Sequence, residues 1–130
     1  MTDEREETSL SVGETAERTG LSAHTLRYYE KIGLMNPISR ASNGTRCYSA
    51  DDVGWIEFLK CLRATGMPIG MMKRYMDYQR RGDGSIGNRV RILREHRDAV
   101  VERLDEMRRY LEKIDSKIAY YVEEERKYET

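Results

Sequence analysis

From Ile86 onward the chain carries an apolar residue every seven positions: Ile86, Leu93, Val100, Met107, Ile114 and Tyr121. A companion seam of Arg97, Leu104, Leu111 and Ile118 keeps the same interval, and the outer positions are mixed charges. Only a long helix holds such a repeat in line, and a single helix cannot bury the stripe it makes. This half of the chain therefore needs a partner. It could fold back on residues 10–81, but the repeat outlasts the face of so small a domain. Self-pairing is the better solution, with Leu93, Val100, Leu104, Met107, Leu111, Ile114 and Ile118 as the expected dimerisation residues and Arg97 as an interruption.

The first half has a different grammar. Ser11 and Glu14 stand in the S-x-x-E spacing of a capping box, which predicts a helix carrying Val12 and Ala16 on its apolar stripe and stopping at Gly20. Ser22 is placed to cap a second helix ending at Gly33. At 100° per residue, Leu26, Tyr29 and Ile32 share one arc of that helix, and His24, Arg27, Tyr28 and Lys31 share the opposite one. One side can seat on a core; the other presents two cations, an imidazole and a phenol. Two short helices across a tight Gly20-Leu21 turn make the pattern of a helix-turn-helix whose second helix lies in a DNA groove.

Pro37 forbids further helix. Ile38-Ser39-Arg40 and Thr45-Arg46-Cys47-Tyr48 flank Asn43-Gly44, which predicts a β-hairpin closed by a two-residue type I′ turn. A lone hairpin is not stable and must lean on the helices as a wing. Arg46 and Tyr48 share one face, Cys47 the other, and Arg40 and Arg46 are placed for the DNA backbone. A third helix is expected over about Asp51–Thr65 with Trp55, Phe58, Leu59 and Leu62 on one face. A fourth spans about Ile69–Arg81, with Pro68 in its first turn and Met72, Tyr75, Met76 and Gln79 at helical spacing. Gly82-Asp83-Gly84-Ser85 reads as a boundary.

Composition narrows the classes. Charged residues make up 35% and hydrophobic residues 38%, which suits a soluble chain with much exposed helix. No apolar run approaches the ~20 residues of a membrane span, and the acidic start is no signal peptide, so no membrane partner and a cytoplasmic location are expected. Two cysteines speak against a disulfide framework. The zero net charge hides a gradient: residues 1–9 carry −3, residues 10–81 carry eleven Lys/Arg against seven Asp/Glu, and residues 82–130 carry −1. The positive excess lies where phosphate binding would use it. The organisation is thus an acidic flexible tail (1–9), a DNA-binding domain (10–81), and a linker with a dimerising helix (82–130). The fold class is mainly α, a winged helix-turn-helix followed by a long coiled-coil helix. A helix over 86–122 would be ~55 Å long at ~1.5 Å per residue. Paired antiparallel, two such helices would hold two DNA-binding units apart, as two-fold binders need for half-sites ~34–36 Å apart or multiples of it.

The run Thr25-Leu26-Arg27-Tyr28-Tyr29-Glu30-Lys31-Ile32-Gly33-Leu34, followed by Gly44-Thr45-Arg46-Cys47-Tyr48 and the terminal helix, resembles the MerR family of bacterial transcription regulators. The resemblance covers nearly the whole chain from Leu10. It implies an antiparallel coiled-coil homodimer on double-stranded promoter DNA. It also implies an overlong spacer that the protein distorts so that RNA polymerase can use it, polymerase being a partner through the shared promoter. Residues 55–66 are similar to a subgroup that senses aldehydes or nitrosative electrophiles through a thiol in this helix, which makes Cys61 a candidate sensor; Cys47 adds a second thiol in the wing.

Arg27, Tyr28, Arg40 and Arg46 are the leading DNA contacts, since a guanidinium forks onto phosphate or guanine and a phenol donates to phosphate. His24, Thr25 and Lys31 complete the expected surface, with His24 either reading a base edge or idle. Tyr29 is expected in the core and Glu30 as a local ion-pair partner. Cys61 falls at the border of its helix, where a plain structural role is the alternative to sensing. Met67, Met71, Met72 and Met76 either pack or line an effector pocket. Residues 82–130 hold no cysteine for a metal site, and His96 there is expected to be solvated. No nucleophile–base pair suggests catalysis, and no cofactor is expected. The alternative function is a DNA-bending architectural or excisionase-like factor without effector gating, against which the long heptad helix speaks.

Overall fold

The computed structural model describes residues 9–129, so the acidic stretch expected as a flexible tail lies outside them except for Ser9. Helix α1 (Val12–Thr19) opens on the predicted capping box: the Ser11 hydroxyl accepts from the Glu14 amide and the Glu14 carboxylate from the Ser11 amide, both at 3.1 Å. Its inward face departs from expectation. Thr15 and Thr19 are buried, whereas Val12 and Ala16 are only partly covered. Each threonine donates its hydroxyl to the carbonyl four residues back at 2.8 Å, which satisfies a polar atom that burial would otherwise leave costly. Gly20 ends the helix at φ 75°, and a Cβ there would meet Lys60 Nζ at 3.0 Å. That ammonium donates to the Thr19 carbonyl at 2.7 Å, so a cation from a later helix caps the C-terminus of α1.

Helix α2 (Ala23–Lys31) starts at Ser22, whose hydroxyl accepts from the Thr25 amide at 3.0 Å. It closes through Gly33 at φ 83°, the Leu34 amide donating to the Tyr29 carbonyl at 2.9 Å. Leu26 and Tyr29 are buried as predicted, and Ile32 is half-buried.

The hairpin pairs β1 (Ser39–Arg40) with β2 (Arg46–Cys47), with Ser39 opposite Cys47 and Arg40 opposite Arg46. Its turn corrects the predicted type I′. The Ala41 amide donates to the Thr45 carbonyl at 2.7 Å and the Gly44 amide back to the Ala41 carbonyl at 2.9 Å, giving a three-residue loop. No described residue but glycine has positive φ, so Asn43 cannot take the conformation a type I′ turn needs, while Gly44 alone, at φ 87°, does. Asn43 instead turns its side-chain oxygen to the Thr45 amide at 3.0 Å. The wing also has a third partner that no local sequence pattern announces. Leu10 and Tyr48 form an antiparallel bridge with reciprocal 2.8 Å bonds, tying the wing to the segment before α1.

Helix α3 (Ala50–Ala64) begins with a second capping box, Ser49 with Asp52. Its buried face is Val53, Ile56, Leu59 and Leu62; Trp55 and Phe58, expected inside, are half-buried on its flank. The reason is aromatic packing. Trp55 stacks on Tyr75 at 5.7 Å and 11°, and its indole N–H donates to the Leu34 carbonyl at 2.8 Å. Helix α4 (Ile69–Arg81) has the predicted bounds, with Pro68 as its N-cap rather than its first helical residue. Met67, Met72 and Met76 are core, Met71 is half-buried, and Gln79 is exposed.

Gly82–Ser85 is a 3-10 turn rather than an open linker. The buried Ser85 hydroxyl donates to the Tyr78 carbonyl and lies 2.7 Å from that of Gly82. Arg89 adds bonds of 2.9 Å to Gln79 and to Gly82. The first compact unit accordingly runs on through Ile92, which is buried, beyond the expected boundary at 81/82. Helix α5 (Ile86–Tyr128) has 43 residues, about 65 Å at ~1.5 Å per residue, and continues past the expected end near 122. The second unit is the part of this helix from Leu93 onward. No described helix is long and apolar enough to cross a membrane.

Candidate nucleic-acid interface

The division of α2 into two arcs is realised in three dimensions. Leu26 and Tyr29 anchor it, and His24, Arg27, Tyr28 and Lys31 stand exposed along the other side. Tyr28 keeps 47% of its surface open on that side. Thr25 is half-buried, and its hydroxyl accepts from that of Ser22 at 2.9 Å, so it is tied into the cap.

The wing adds two arginines that differ in circumstance. Arg40 is exposed and folds over its own turn, Nη1 donating to the Gly44 carbonyl at 3.0 Å. Arg46, opposite it in register, is half-buried, and its Nε donates to Glu30 Oε1 at 2.9 Å. Glu30 does more than pair locally. Its Oε2 also accepts from the Ile38 amide at 3.1 Å, so a carboxylate on the last turn of α2 holds both arms of the wing. A signal for this was present: period-two alternation puts Arg46 on the face of Tyr48, and a face that buries Tyr48 turns Arg46 inward too.

Tyr48 lies at the centre of this cluster. It is wholly buried, and its hydroxyl has no hydrogen-bond partner among the described residues. Burial raises its pKa above the ordinary 10.0, Glu30 adds to the rise, and Arg46 and Arg27 oppose it. The fold thus gathers Arg27, Glu30, Arg46 and Tyr48 into one electrostatic neighbourhood where α2 meets the wing.

The thiols are not brought together as a disulfide; both cysteines are free. Cys61 is exposed on α3, outside the core. Cys47 is half-buried, with its Sγ 3.8 Å from the Thr45 carbonyl. His96, expected to be solvated, is half-buried, and burial followed by Arg103 holds its pKa below 6.5. No three described His, Cys, Asp or Glu side chains cluster as a metal site. Along α5, Leu93 and Val100 are half-buried, while Leu104, Met107, Leu111, Ile114 and Ile118 are all more than half exposed in the single chain.

The sequence profile of the "MerR HTH family regulatory protein" family matches residues 10–79. The HTH-type transcriptional regulator AdhR of Bacillus subtilis is 38% identical over 93 residues, covering 72% of this chain and 66% of AdhR. The crystal structure of a MerR family transcriptional regulator from Listeria monocytogenes superposes with a TM-score of 0.82 at 37% identity, covering 87% of this chain and 86% of that one. HiNmlR, a MerR family regulator lacking the sensor domain and bound to promoter DNA, superposes with a TM-score of 0.80 at 32% identity, covering 88% and 90%.

Proposed function

The chain belongs to the MerR family of DNA-binding transcription regulators, and on that premise we propose that it acts as a homodimer on a palindromic promoter spacer. The observation that carries this reading is the juxtaposition of an exposed basic and aromatic arc on α2 with an arginine-bearing wing. Arg27, Tyr28, Lys31 and Arg40 supply phosphate contacts, Arg46 a contact held through Glu30, and His24 base readout; Thr25 acts through the cap. HiNmlR, which this chain resembles over most of its length, is described as bound to promoter DNA.

Self-pairing through α5 has two supports. A row of apolar side chains from Leu104 to Ile118 is open in the single chain, more than a monomer ordinarily leaves to water. The ends of the helix are also oppositely charged. Residues 86–97 carry four Arg against one Glu, and residues 119–129 carry four Glu against two cations. Antiparallel pairing sets these ends against each other. Two tethered DNA-binding units can then distort the spacer between them, at a cost of several kcal/mol offset by phosphate contacts. RNA polymerase is the partner through shared DNA, in the cytoplasm. Cys61, exposed on α3 between the wing and α4, is the favoured site for gating by electrophiles, with Cys47 as the other.

In vitro selection from a randomised duplex pool tests the DNA reading. The protein should enrich an inverted repeat, with log Kd changing by about 0.9 per neutralised phosphate per decade of salt. Arg40→Ala should flatten that slope, whereas His24→Ala should alter the enriched sequence more than the slope. Failure to enrich any sequence would contradict the reading. For gating, an aldehyde should change transcription from the selected promoter while affinity holds, and Cys61→Ser should abolish the response. A response intact in the Cys47→Ser, Cys61→Ser double variant would remove thiols from the mechanism.

A further inference from the structure

Glu30 occupies a place where a carboxylate is disfavoured twice. It lies in the last turn of α2, where the helix dipole repels an anion, and beside a surface meant for phosphates. What holds it there is the pair of bonds to the wing: Oε1 to Arg46 Nε at 2.9 Å and Oε2 to the Ile38 amide at 3.1 Å. Ile38 directly precedes β1 and Arg46 opens β2, so one carboxylate fixes both arms against α2. The pair is sheltered, with side-chain exposures of 28% for Arg46 and 15% for Glu30. A guanidinium is a rigid planar fork, so fixing its Nε edge also fixes the direction of its outer nitrogens.

We propose that Glu30 is a positioning residue for DNA binding, clamping the wing to α2 and buttressing Arg46 so that the outer edge of its guanidinium meets a DNA phosphate. The inference rests on the DNA-binding reading above and names the residue that makes helix and wing one reading head. It also makes Arg46 a contact only as a member of the pair. Lysine would replace it poorly, because a flexible ammonium has no rigid planar fork to fix the direction of a phosphate contact once one donor is held by the carboxylate.

The sign of a single effect decides. On charge alone, neutralising an acid beside DNA should tighten binding. The buttress requires the reverse. With a duplex selected by the wild-type protein as probe, Glu30→Gln should weaken binding about tenfold and lower the salt slope by about 0.9. Glu30→Gln combined with Arg46→Ala should be no weaker than Arg46→Ala alone. Arg46→Lys keeps the charge and provides a second variant if Glu30→Gln folds poorly by thermal unfolding; it should also bind several-fold more weakly. Unchanged or tighter binding by folded Glu30→Gln, additive losses in the double variant, or wild-type affinity in Arg46→Lys would each overturn the assignment. A wild type that selects no duplex would overturn the DNA-binding reading itself, and this assignment with it.

Discussion

Tyr48 shows how a single buried atom can be costly in a working fold. Its hydroxyl is shut away from solvent with no partner among the described residues, and such a group costs about 1–3 kcal/mol. Tyr48→Phe removes only that atom, so it should raise stability by about 1 kcal/mol, or ~4–8 °C in melting temperature for a domain of this size. A loss of stability on calorimetry would mean the hydroxyl has a partner. The same residue carries a pH signature. Burial raises the phenols of both Tyr48 and Tyr75 above 10.0, so the folded chain keeps protons that the unfolded chain releases. Their contribution is complete below pH 10.0 and is lost as pH rises through the raised values. Denaturant titrations should therefore show stability falling above pH 10, and Tyr48→Phe should reduce that fall.

At the scale of elements, the helix-turn-helix is fastened from outside its own sequence. Lys60 of α3 caps α1, and Arg80 of α4 bonds the carbonyl of Gly33 at 3.0 Å, just beyond α2. Lys60→Met keeps the apolar stem and deletes the cation, so it should cost about 1 kcal/mol and speed amide exchange at Gly20. Unchanged exchange there would show that α1 needs no cap from α3. These fastenings also mark what the sequence leaves illegible. The caps at Ser11 and Ser22, both arcs of α2 and the bounds of α4 follow from local spacing, and each was readable. The Lys60 and Arg80 bonds span 41 and 47 residues, and no local pattern encodes such pairings. The turn failed for a related reason. Asn-Gly favours type I′ in isolation, but the bonds between Ala41, Gly44 and Thr45 fix a register that makes the loop three residues long. On α3, helical periodicity identified an apolar face but not that Tyr75 and the Leu34 carbonyl would draw Trp55 to its flank. At the candidate DNA surface, exposure of Arg27 and Tyr28 was legible, whereas the Glu30–Arg46 pair depends on how the hairpin leans.

For the whole molecule, the repeat that so constrains the sequence is also what one copy leaves unfinished. Leu104 and Ile114 are each 57% exposed, and Met107 is 66% exposed. Covering what remains open of such side chains stabilises an interface by roughly 1–2 kcal/mol each. Leu104→Lys with Ile114→Lys should give monomers by sedimentation that retain a folded first unit and bind the selected duplex at least tenfold more weakly. A double variant that remains dimeric would place the interface elsewhere. In the proposed dimer the two DNA-binding units would act through geometry, since an inverted repeat is gripped only if both halves are engaged at once. The most direct test is the mass of the complex between the full chain and a selected duplex, measured by sedimentation equilibrium at protein concentrations just above saturation. The account predicts two chains on one duplex, with no detectable one-chain complex. A saturated complex of one chain per duplex would contradict it.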